Sequence, residues 1–240
     1  DRVHRADIAA PAGVNAAARA LAELPGTNAA PWAGETERLH ASFLAHTADS
    51  PANPGEVQLG EAMRWLDGHL PPEAIICNGA GNYAIWVHRF LHYRRFMTQL
   101  APTSGSMGYG TPAAVAAKLK HPDRPVVAFA GDGCFLMNGQ EFATAAQHGA
   151  AIVVVVVDNG QYGTIRMHQE RDYPGRRSGT HLANPDFAAL ARAYGGHGET
   201  VERTEDFAPA FRRAEASGKP ALLHVKLDPR TITPDRFLDG

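Results

Sequence analysis

Two apolar stretches of this sequence each end in small residues and oxygen-bearing side chains. The first, VVAFAG at 126–131, is followed by Asp132, and the second, IVVVVVD at 152–158, is followed by Asn159 and a glycine. A carboxylate and an amide oxygen, with backbone carbonyls nearby, form a modest site for a hard cation such as Mg²⁺, which takes its remaining ligands from phosphate and water. The same residue types also serve as turn and cap residues at strand ends, so the spacing alone leaves both interpretations open.

The residues between these stretches predict one helix, with Asn138 as its N-cap and Gly149 at its end. A strand, a helix and a strand in that order form a unit whose two strands are parallel and usually adjacent. Asp132 and Asn159 are therefore expected at the same edge of the sheet, the carboxyl edge, where open α/β sheets bind ligands.

The same alternation of helix and strand continues along the chain from residue 55. Helices are predicted at 57–70, at 83–90, at GTPAAVAAKLK with Thr111 as N-cap, at NPDFAALARAYG with Asn184 as N-cap and at 205–218, and strands at AIICN, RFMTQL and ALLHVKL. Strands that are apolar throughout are typical of a parallel sheet covered by helices on both faces. The predicted fold class is α/β, a doubly wound, mostly parallel sheet.

Composition argues against several classes of protein. With 240 residues, 44% of them hydrophobic, and a net charge of −2, the chain can bury a full core and has no basic footprint for nucleic acid. Its longest apolar run, 152–157, is far too short to span a bilayer. Two cysteines cannot form a disulfide framework, so a reducing compartment, the cytoplasm, is expected.

The first 53 residues differ in character from the rest. They contain an alanine-rich helical pattern at 14–24 and a second helical pattern at 39–46, separated by Pro- and Gly-rich breaks. We expect residues 1–53 to be the tail of a preceding domain plus a linker, and residues 54–240 to form one domain. The alternative is a helical arm of that same domain. The chain starts at Asp1 without an initiator methionine, which suggests a processed or cut chain.

Three segments, in the right order, resemble the thiamin-diphosphate-dependent enzymes, in particular the acetolactate (acetohydroxyacid) synthases. They are NGAGNYAIW, SGSMGYGTPAAVAAKL and GDGCFLMNGQEFATAAQHGAAIVVVVVDNGQYG. The likeness covers about residues 56–234. It implies a C-terminal diphosphate-binding domain that holds thiamin diphosphate and Mg²⁺. The enzyme would decarboxylate a 2-oxo acid and transfer the acyl anion equivalent to an acceptor.

The resemblance also implies roles for individual residues. Asp132 and Asn159 would be side-chain metal ligands, with the backbone carbonyl of Gln161 as the third ligand. Gly105 would orient the cofactor through its carbonyl, and Met107 would act as a hydrophobic wedge. Further cofactor contacts are expected from Asn82, Tyr83, Ser106, Gly131, Gly133, Cys134, Tyr162, Gly163, Thr164 and Ile165, while Ile165 and His168 are expected on the substrate side.

Three positions depart from the family's pattern. Asp158 stands at the first position of the usual Asn–Asn pair, which adds a charge beside the metal site. Asn82 and Tyr83 replace the usual Gln–His. His168 stands where acetohydroxyacid synthases carry a tryptophan that shapes the acceptor pocket, which leaves related reactions open.

The resemblance further implies a missing partner. In this family the cofactor lies between the diphosphate-binding domain and a pyrimidine-binding domain, which carries the activating glutamate and usually belongs to another subunit. Residues 1–24 resemble the closing segment of the family's central domain. We therefore expect the C-terminal third of a larger protein, or one subunit of a split enzyme. We also expect a homo-oligomer, and no activity from this chain alone.

Two alternatives stand beside this interpretation. A related thiamin-diphosphate decarboxylase, acyl-CoA lyase, hydrolase or oxidase would use the same site with a different substrate. A non-catalytic nucleotide-binding module would share only the topology. Cofactor binding distinguishes the module from the enzymes, and product analysis distinguishes the enzymes from one another.

Overall fold

The computed structural model of this protein describes residues 3–26 and 31–238. The chain forms two compact units, Asp1–Leu44 and Ala45–Gly240. The first unit contains helix α1 (Val14–Ala22), which has no buried residue, and most of helix α2 (Ala33–Ala48). Both helical patterns expected in this region are therefore helices, and the domain boundary expected after residue 53 stays a prediction.

The second unit is built on six parallel strands in the order β2-β1-β3-β4-β6-β5. The strands are β1 (Ile75–Asn78), β2 (Gln99–Leu100), β3 (Val126–Gly131), β4 (Val153–Asp158), β5 (His197–Val201) and β6 (Ala221–Lys226). Every residue of β4 is buried, and so is every residue of β3 and β6 except the last. Burial of successive residues requires cover on both faces of the sheet, which confirms the α/β class.

Helix α3 (Leu59–His69) precedes the first strand, and the other covering helices lie between consecutive strands. These others are α4 (Tyr83–Phe90), α5 (Gly110–Lys120), α6 (Asp132–Asn138), α7 (Glu141–Gln147), α8 (Gly163–Asp172), α9 (Phe187–Ala193) and α10 (Thr204–Ala216). Helix α5 packs on β1 and β3, and α9 packs on β5 and β6. Phe129 and Phe142 are among the largest fully buried side chains of the core.

The register of β3 and β4 determines where the polar residues meet. These strands are parallel neighbours, as the sequence predicts, and Gly131 is paired with Val157. The next residues, Asp132 and Asp158, therefore leave the sheet side by side. The juxtaposition of the two strand ends follows from the backbone pairing.

The helix ends depart from the sequence predictions. Two helices, α6 and α7, join β3 to β4, and Asn138 is the last residue of α6 rather than an N-cap. Asn184 does not cap α9, because Asp186 holds that position and its side chain accepts from the Ala189 amide at 2.9 Å. Helix α5 begins at Gly110, so Thr111 lies inside its first turn.

A two-stranded antiparallel hairpin, β7 (Thr231–Thr233) and β8 (Arg236–Phe237), follows the sheet. Its first strand packs beside α4 and α8. Among the residues that the structure describes, none of the helices has the length and apolar character needed to cross a membrane.

Candidate functional site

A cavity of about 260 Å³ opens at the carboxyl ends of β3 and β4. A water molecule takes about 30 Å³ of liquid, so the cavity has room for a small molecule. Fourteen residues expected at the site line it: Asn82, Tyr83, Gly105, Met107, Gly131, Asp132, Gly133, Cys134, Asn159, Gln161, Tyr162, Gly163, Thr164 and Ile165. Two expected residues, Ser106 and His168, are absent from the lining.

The turn at the end of β3 brings backbone to the cavity wall. A Cβ atom on Gly131 would lie 3.0 Å from the ring of Tyr83, and one on Gly133 would lie 2.6 Å from the ring of Tyr162. The 2.6 Å distance at Gly133 is too short for a real contact, because Cβ atoms essentially never come within 3.0 Å of another heavy atom. A side chain at Gly133 would therefore displace the Tyr162 ring, and one at Gly131 would require a smaller shift of the Tyr83 ring.

Asp132 begins α6 beside this turn, with only 3% of its surface exposed. Its Oδ1 accepts from the Gly133 amide at 2.8 Å, and its Oδ2 accepts from Asn184 Nδ2 at 2.7 Å. Burial raises the pKa of Asp132 to about 6, and the nearby Asp158 adds to the rise, against the lowering effect of the two hydrogen bonds. Burial thus disfavours the ionised form of this carboxyl, and a nearby positive charge would favour it.

Asp158, at the end of β4, is surrounded by donors. Its Oδ1 accepts from Asn184 Nδ2 at 2.7 Å and from the Gly160 amide at 2.9 Å. Its Oδ2 lies 2.7 Å from His224 Nε2 and 2.6 Å from Lys226 Nζ. Burial alone would raise the pKa of this carboxyl, but the hydrogen bonds from His224 and Lys226 hold the pKa below its usual range.

The charge that Asp158 adds beside the site is thus compensated within the protein. Lys226 is the last residue of β6, directly paired with Asp158 across the sheet. The side chain of Lys226 is 44% exposed, and its ammonium group contacts the buried carboxylate of Asp158. The sequence shows the extra carboxylate but not the histidine and lysine that contact it, since they lie 66 and 68 residues away.

Asn159 and Gln161 complete the polar side of the cavity. Asn159 is half-buried, and its Nδ2 is 3.0 Å from where a Cβ on Gly163 would lie. Gln161 is buried, and its side-chain amide donates to the Pro229 carbonyl. That bond engages the side-chain amide outside any ligand role.

Within residues 3–26 and 31–238, no group of three or more His, Cys, Asp or Glu side chains is arranged to hold a metal ion. A site here would combine a single carboxylate with amide and carbonyl oxygens. Such a donor set is hard and carries little charge, which suits a cation that also binds phosphate oxygens.

The loop between β2 and α5 forms another wall. Gly105 has φ +68°, a left-handed conformation that favours glycine. Met107 follows it into the cavity lining, with 38% of its surface exposed. Ser106 is turned toward Ser104, with its hydroxyl 2.7 Å from that of its neighbour, which explains why it does not line the cavity.

Asn82 and Tyr83, the residues that replace the usual pair, hold opposite sides of the cavity together. The Thr164 hydroxyl donates to Asn82 Oδ1 at 2.8 Å, and Asn82 Nδ2 lies 3.7 Å from Met167 Sδ. The Tyr83 hydroxyl lies 3.4 Å from Cys134 Sγ. Burial raises the pKa of Tyr83 well above its usual value, so the phenol stays neutral and can donate.

Helix α8 carries the residues expected on the substrate side. It has no buried residue. Ile165 lines the cavity with 56% of its surface exposed, whereas His168, one turn further along, is exposed outside the lining. The helix therefore presents Ile165 to the cavity, and His168 lies outside the lining.

Sequence reasoning missed several residues of this site. Asn184 was assigned to a helix cap, and the signal against that role was Asp186 two residues on, an equally good cap residue. His224 and Lys226 lie on a strand that was read only as apolar. Trp86, Leu227, Thr231 and Ile232 also line the cavity.

Comparison with known families matches a region that includes most of the cavity wall. The family described as "Thiamine pyrophosphate enzyme, C-terminal TPP binding domain" matches residues 79–225. This range holds all the expected site residues.

Curated relatives agree. The chain is 37% identical over 199 residues to the acetolactate synthase large subunit of Corynebacterium glutamicum, covering 80% of this chain and 32% of the relative. It is 33% identical over 168 residues to the acetolactate synthase isozyme 2 large subunit of Escherichia coli, covering 69% of this chain and 31% of the relative. The chain thus spans about a third of the length of the curated relatives it matches.

A solved structure is similar as well. It is the thiamine diphosphate-dependent 4-hydroxybenzoylformate decarboxylase of Rhodococcus jostii RHA1, with a TM-score of 0.69 and 28% sequence identity. The match covers 75% of this chain and 34% of that one.

Proposed function

Because this chain belongs to the thiamine pyrophosphate enzymes and carries the C-terminal cofactor-binding domain of acetolactate synthase-like members, we propose that it serves a 2-oxo acid carboligase. The enzyme would decarboxylate a 2-oxo acid and transfer the acyl anion equivalent to an acceptor. The observation that carries this proposal is the single cavity at the ends of β3 and β4, which gathers fourteen residues of the expected site.

The metal would be Mg²⁺, held by the side chains of Asp132 and Asn159 and the backbone carbonyl of Gln161. All three residues line the same cavity. Asp132 has one hydrogen-bond donor on each carboxylate oxygen, so each oxygen keeps a lone pair for a cation. The donor set fits a cation that completes its shell with diphosphate and water.

The cofactor would be thiamin diphosphate, which supplies an electron sink for the carbanion left when a 2-oxo acid loses CO₂. The turn at Gly131 and Gly133 brings backbone close enough to hold the diphosphate, with Cys134, Asn82 and Tyr83 beside it. Met107 and Gly105 would orient the rings from the opposite loop. Gly163, Thr164 and Ile165 would lie along the reacting side and exclude water there.

A pyrimidine-binding domain would close the cavity. Ile85, Met107, Leu136, Met137 and Ile165 each expose between 38% and 56% of their surface. Exposed apolar side chains at and near the cavity are the kind of surface that a second domain covers. We propose that this domain comes from the rest of the protein or from a second subunit, in a cytoplasmic homo-oligomer.

A related decarboxylase is the second candidate. The similar solved structure is named as a decarboxylase, and His168 replaces the tryptophan of the acceptor pocket. Both reactions begin with the loss of CO₂ from a 2-oxo acid. They differ only in what reacts with the resulting acyl anion equivalent, which is a carbonyl compound in the carboligase and a proton in the decarboxylase.

The test uses the protein with the pyrimidine-binding domain present. Thiamin diphosphate binding is measured by calorimetry with Mg²⁺ and again with excess EDTA, and tight binding is expected only with the metal. Products from pyruvate, benzoylformate and oxalyl-CoA are then identified by mass spectrometry. Acetolactate from pyruvate supports the carboligase, an aldehyde alone supports the decarboxylase, and the absence of cofactor binding contradicts both. Residues 1–240 alone are expected to turn over none of these substrates, because we expect the activating glutamate and the enclosing wall on the pyrimidine-binding domain.

A further inference from the structure

Asn184 touches both carboxylates at the strand ends. Its Nδ2 lies 2.7 Å from Asp132 Oδ2 and 2.7 Å from Asp158 Oδ1. An amide nitrogen has two N–H groups, so it can give one to each carboxylate. The reverse orientation would set the amide oxygen against two carboxylates, which fixes the assignment of nitrogen and oxygen.

The contacts of Asn184 are otherwise sparse. Its Oδ1 is buried without a hydrogen-bond partner among the residues that the structure describes. The cap of α9 is made by Asp186, so Asn184 is not needed for the helix. The hydrogen bonds to the two carboxylates therefore position the Asn184 side chain, and the same bonds link the two carboxylates to each other.

The two carboxylates differ in the number of lone-pair sites that remain free. An ionised carboxylate has about four lone-pair sites. Asp158 accepts from Asn184, from the Gly160 amide, from His224 and from Lys226, so all four sites are used. Asp132 accepts from Asn184 and from the Gly133 amide, so two sites remain free.

We propose that Asn184 is a positioning residue for Asp132. It anchors one oxygen of Asp132 to Asp158, which is itself immobilised by Lys226 and His224, and so fixes the direction in which the free lone pairs of Asp132 point. This inference rests on the proposed function, in which Asp132 binds a divalent cation. Partners of this kind orient ligating carboxylates, and their loss typically weakens metal binding about 10- to 100-fold.

A pure charge argument predicts the opposite sign. Removing a donor from Asp132 leaves more negative charge on its oxygens, which would strengthen cation binding. Positioning predicts weaker binding, because the Asp132 carboxylate is then held only by the Gly133 amide and can change its orientation. The direction of the change therefore distinguishes the two.

The experiment measures Mn²⁺ binding by electron paramagnetic resonance, with thiamin diphosphate present and the pyrimidine-binding domain in place. Asn184→Ala is compared with the wild type and with Thr204→Ala. Thr204 accepts from the Gln58 amide and donates to the Glu56 carbonyl, so its loss removes hydrogen bonds away from the cavity. We expect 10- to 100-fold weaker Mn²⁺ binding for Asn184→Ala and no change for Thr204→Ala.

If Asn184→Ala does not fold, Asn184→Ser provides the same test, because its single hydroxyl can donate to only one carboxylate. Mn²⁺ affinity equal to or above the wild type in the folded variant overturns the proposal while leaving the proposed function intact. A wild type that binds no Mn²⁺ overturns the proposed function, and this inference with it. Weakening in both Asn184→Ala and Thr204→Ala shows a general structural effect and also overturns the proposal.

Discussion

The ends of strands β3 and β4 carry aspartates that leave the sheet side by side under opposite electrostatic conditions. Burial acts in the same direction on both, since it disfavours the ionised form. Asp132 receives two donors and its pKa is raised to about 6, whereas Asp158 receives four donors, two of them from His224 and Lys226, and its pKa is lowered. The number and charge of the donors, rather than depth, thus separate a carboxylate that is available to a ligand from one that is structural.

The largest effect is expected from removing the available carboxylate. Asp132→Ala deletes the one charged group of the proposed metal site, so Mg²⁺-dependent binding of thiamin diphosphate should fall by more than about 100-fold, beyond the effect of losing an outer partner. Calorimetry on the protein with its pyrimidine-binding domain measures this loss. Asp158→Asn is the matched control and should stay within about tenfold of the wild type. Similar losses in both variants would abolish the distinction drawn between the two strand ends.

The next effect concerns stability and its dependence on pH. The pKa of Asp132 rises from 3.8 to about 6 on folding. The folded state therefore binds more protons between these values, and the metal-free protein loses stability as the pH rises through this window. The loss amounts to about 3 kcal/mol above pH 6, at about 1.4 kcal/mol per pKa unit.

The variant Asp132→Asn removes this buried charge. It should be more stable than the metal-free wild type at pH 8, by up to about 3 kcal/mol, and nearly equal to it at pH 4. Urea unfolding at both pH values measures the difference. A variant that is destabilised at pH 8 would show that Asp132 is already compensated, as Asp158 is.

The structural carboxylate should show its role in folding instead. Asp158→Ala leaves His224 and Lys226 without their partner, and breaking a buried pair from one side costs about 3–5 kcal/mol. Because the side chain of Lys226 is 44% exposed and can return to water, we expect a smaller loss, about 2 kcal/mol. Urea unfolding at pH 7.5 gives the value, and Lys226→Met should cost less, under about 1 kcal/mol. A neutral result for Asp158→Ala would mean that the four donors contribute no net stability.

The smallest effect on the cofactor is expected at a residue outside both strand ends. His168 is exposed on α8 and absent from the cavity lining. His168→Trp should change thiamin diphosphate affinity less than about twofold, because the residue lies away from both carboxylates, while it shifts the ratio of products. Product analysis with two competing 2-oxo acids measures that ratio. An unchanged ratio would remove His168 from the substrate side.

The sequence predicts the ends of β3 and β4 well, but it predicts helix ends and the edge strands poorly: the strand expected at RFMTQL is only Gln99–Leu100. Strands β3 and β4 are continuous apolar runs, so their parallel pairing and the adjacency of Asp132 and Asn159 follow from local pattern. Helix α6 was missed because DGCFLMN starts with the residues of a turn. Strand β5, HGETV, is an edge strand in which only Gly198 and Val201 are buried, so it lacks the continuous apolar run that predicts β3 and β4.

The hydrogen-bond partners of the two carboxylates cannot be predicted from the residues next to them in the sequence. Asn184 is 52 residues from Asp132 and 26 from Asp158, and its local context, Asn-Pro-Asp, is that of a helix start. In the folded protein Asp186 caps α9, so the side chain of Asn184 is available to the two carboxylates. Family resemblance identified the residues of the cavity wall, but not the residues that support them from behind.

Helix α8 lies along the cavity without a buried residue of its own, and this affects how readily the helix opens. A segment with so little buried surface opens locally at a small fraction of the free energy of global unfolding. Its amide hydrogens should then exchange with deuterium long before those of β4, even in a protein that is fully folded. Any ligand that contacts Thr164 and Ile165 stabilises only the closed helix, so occupancy of the cavity would be recorded as slower exchange along α8.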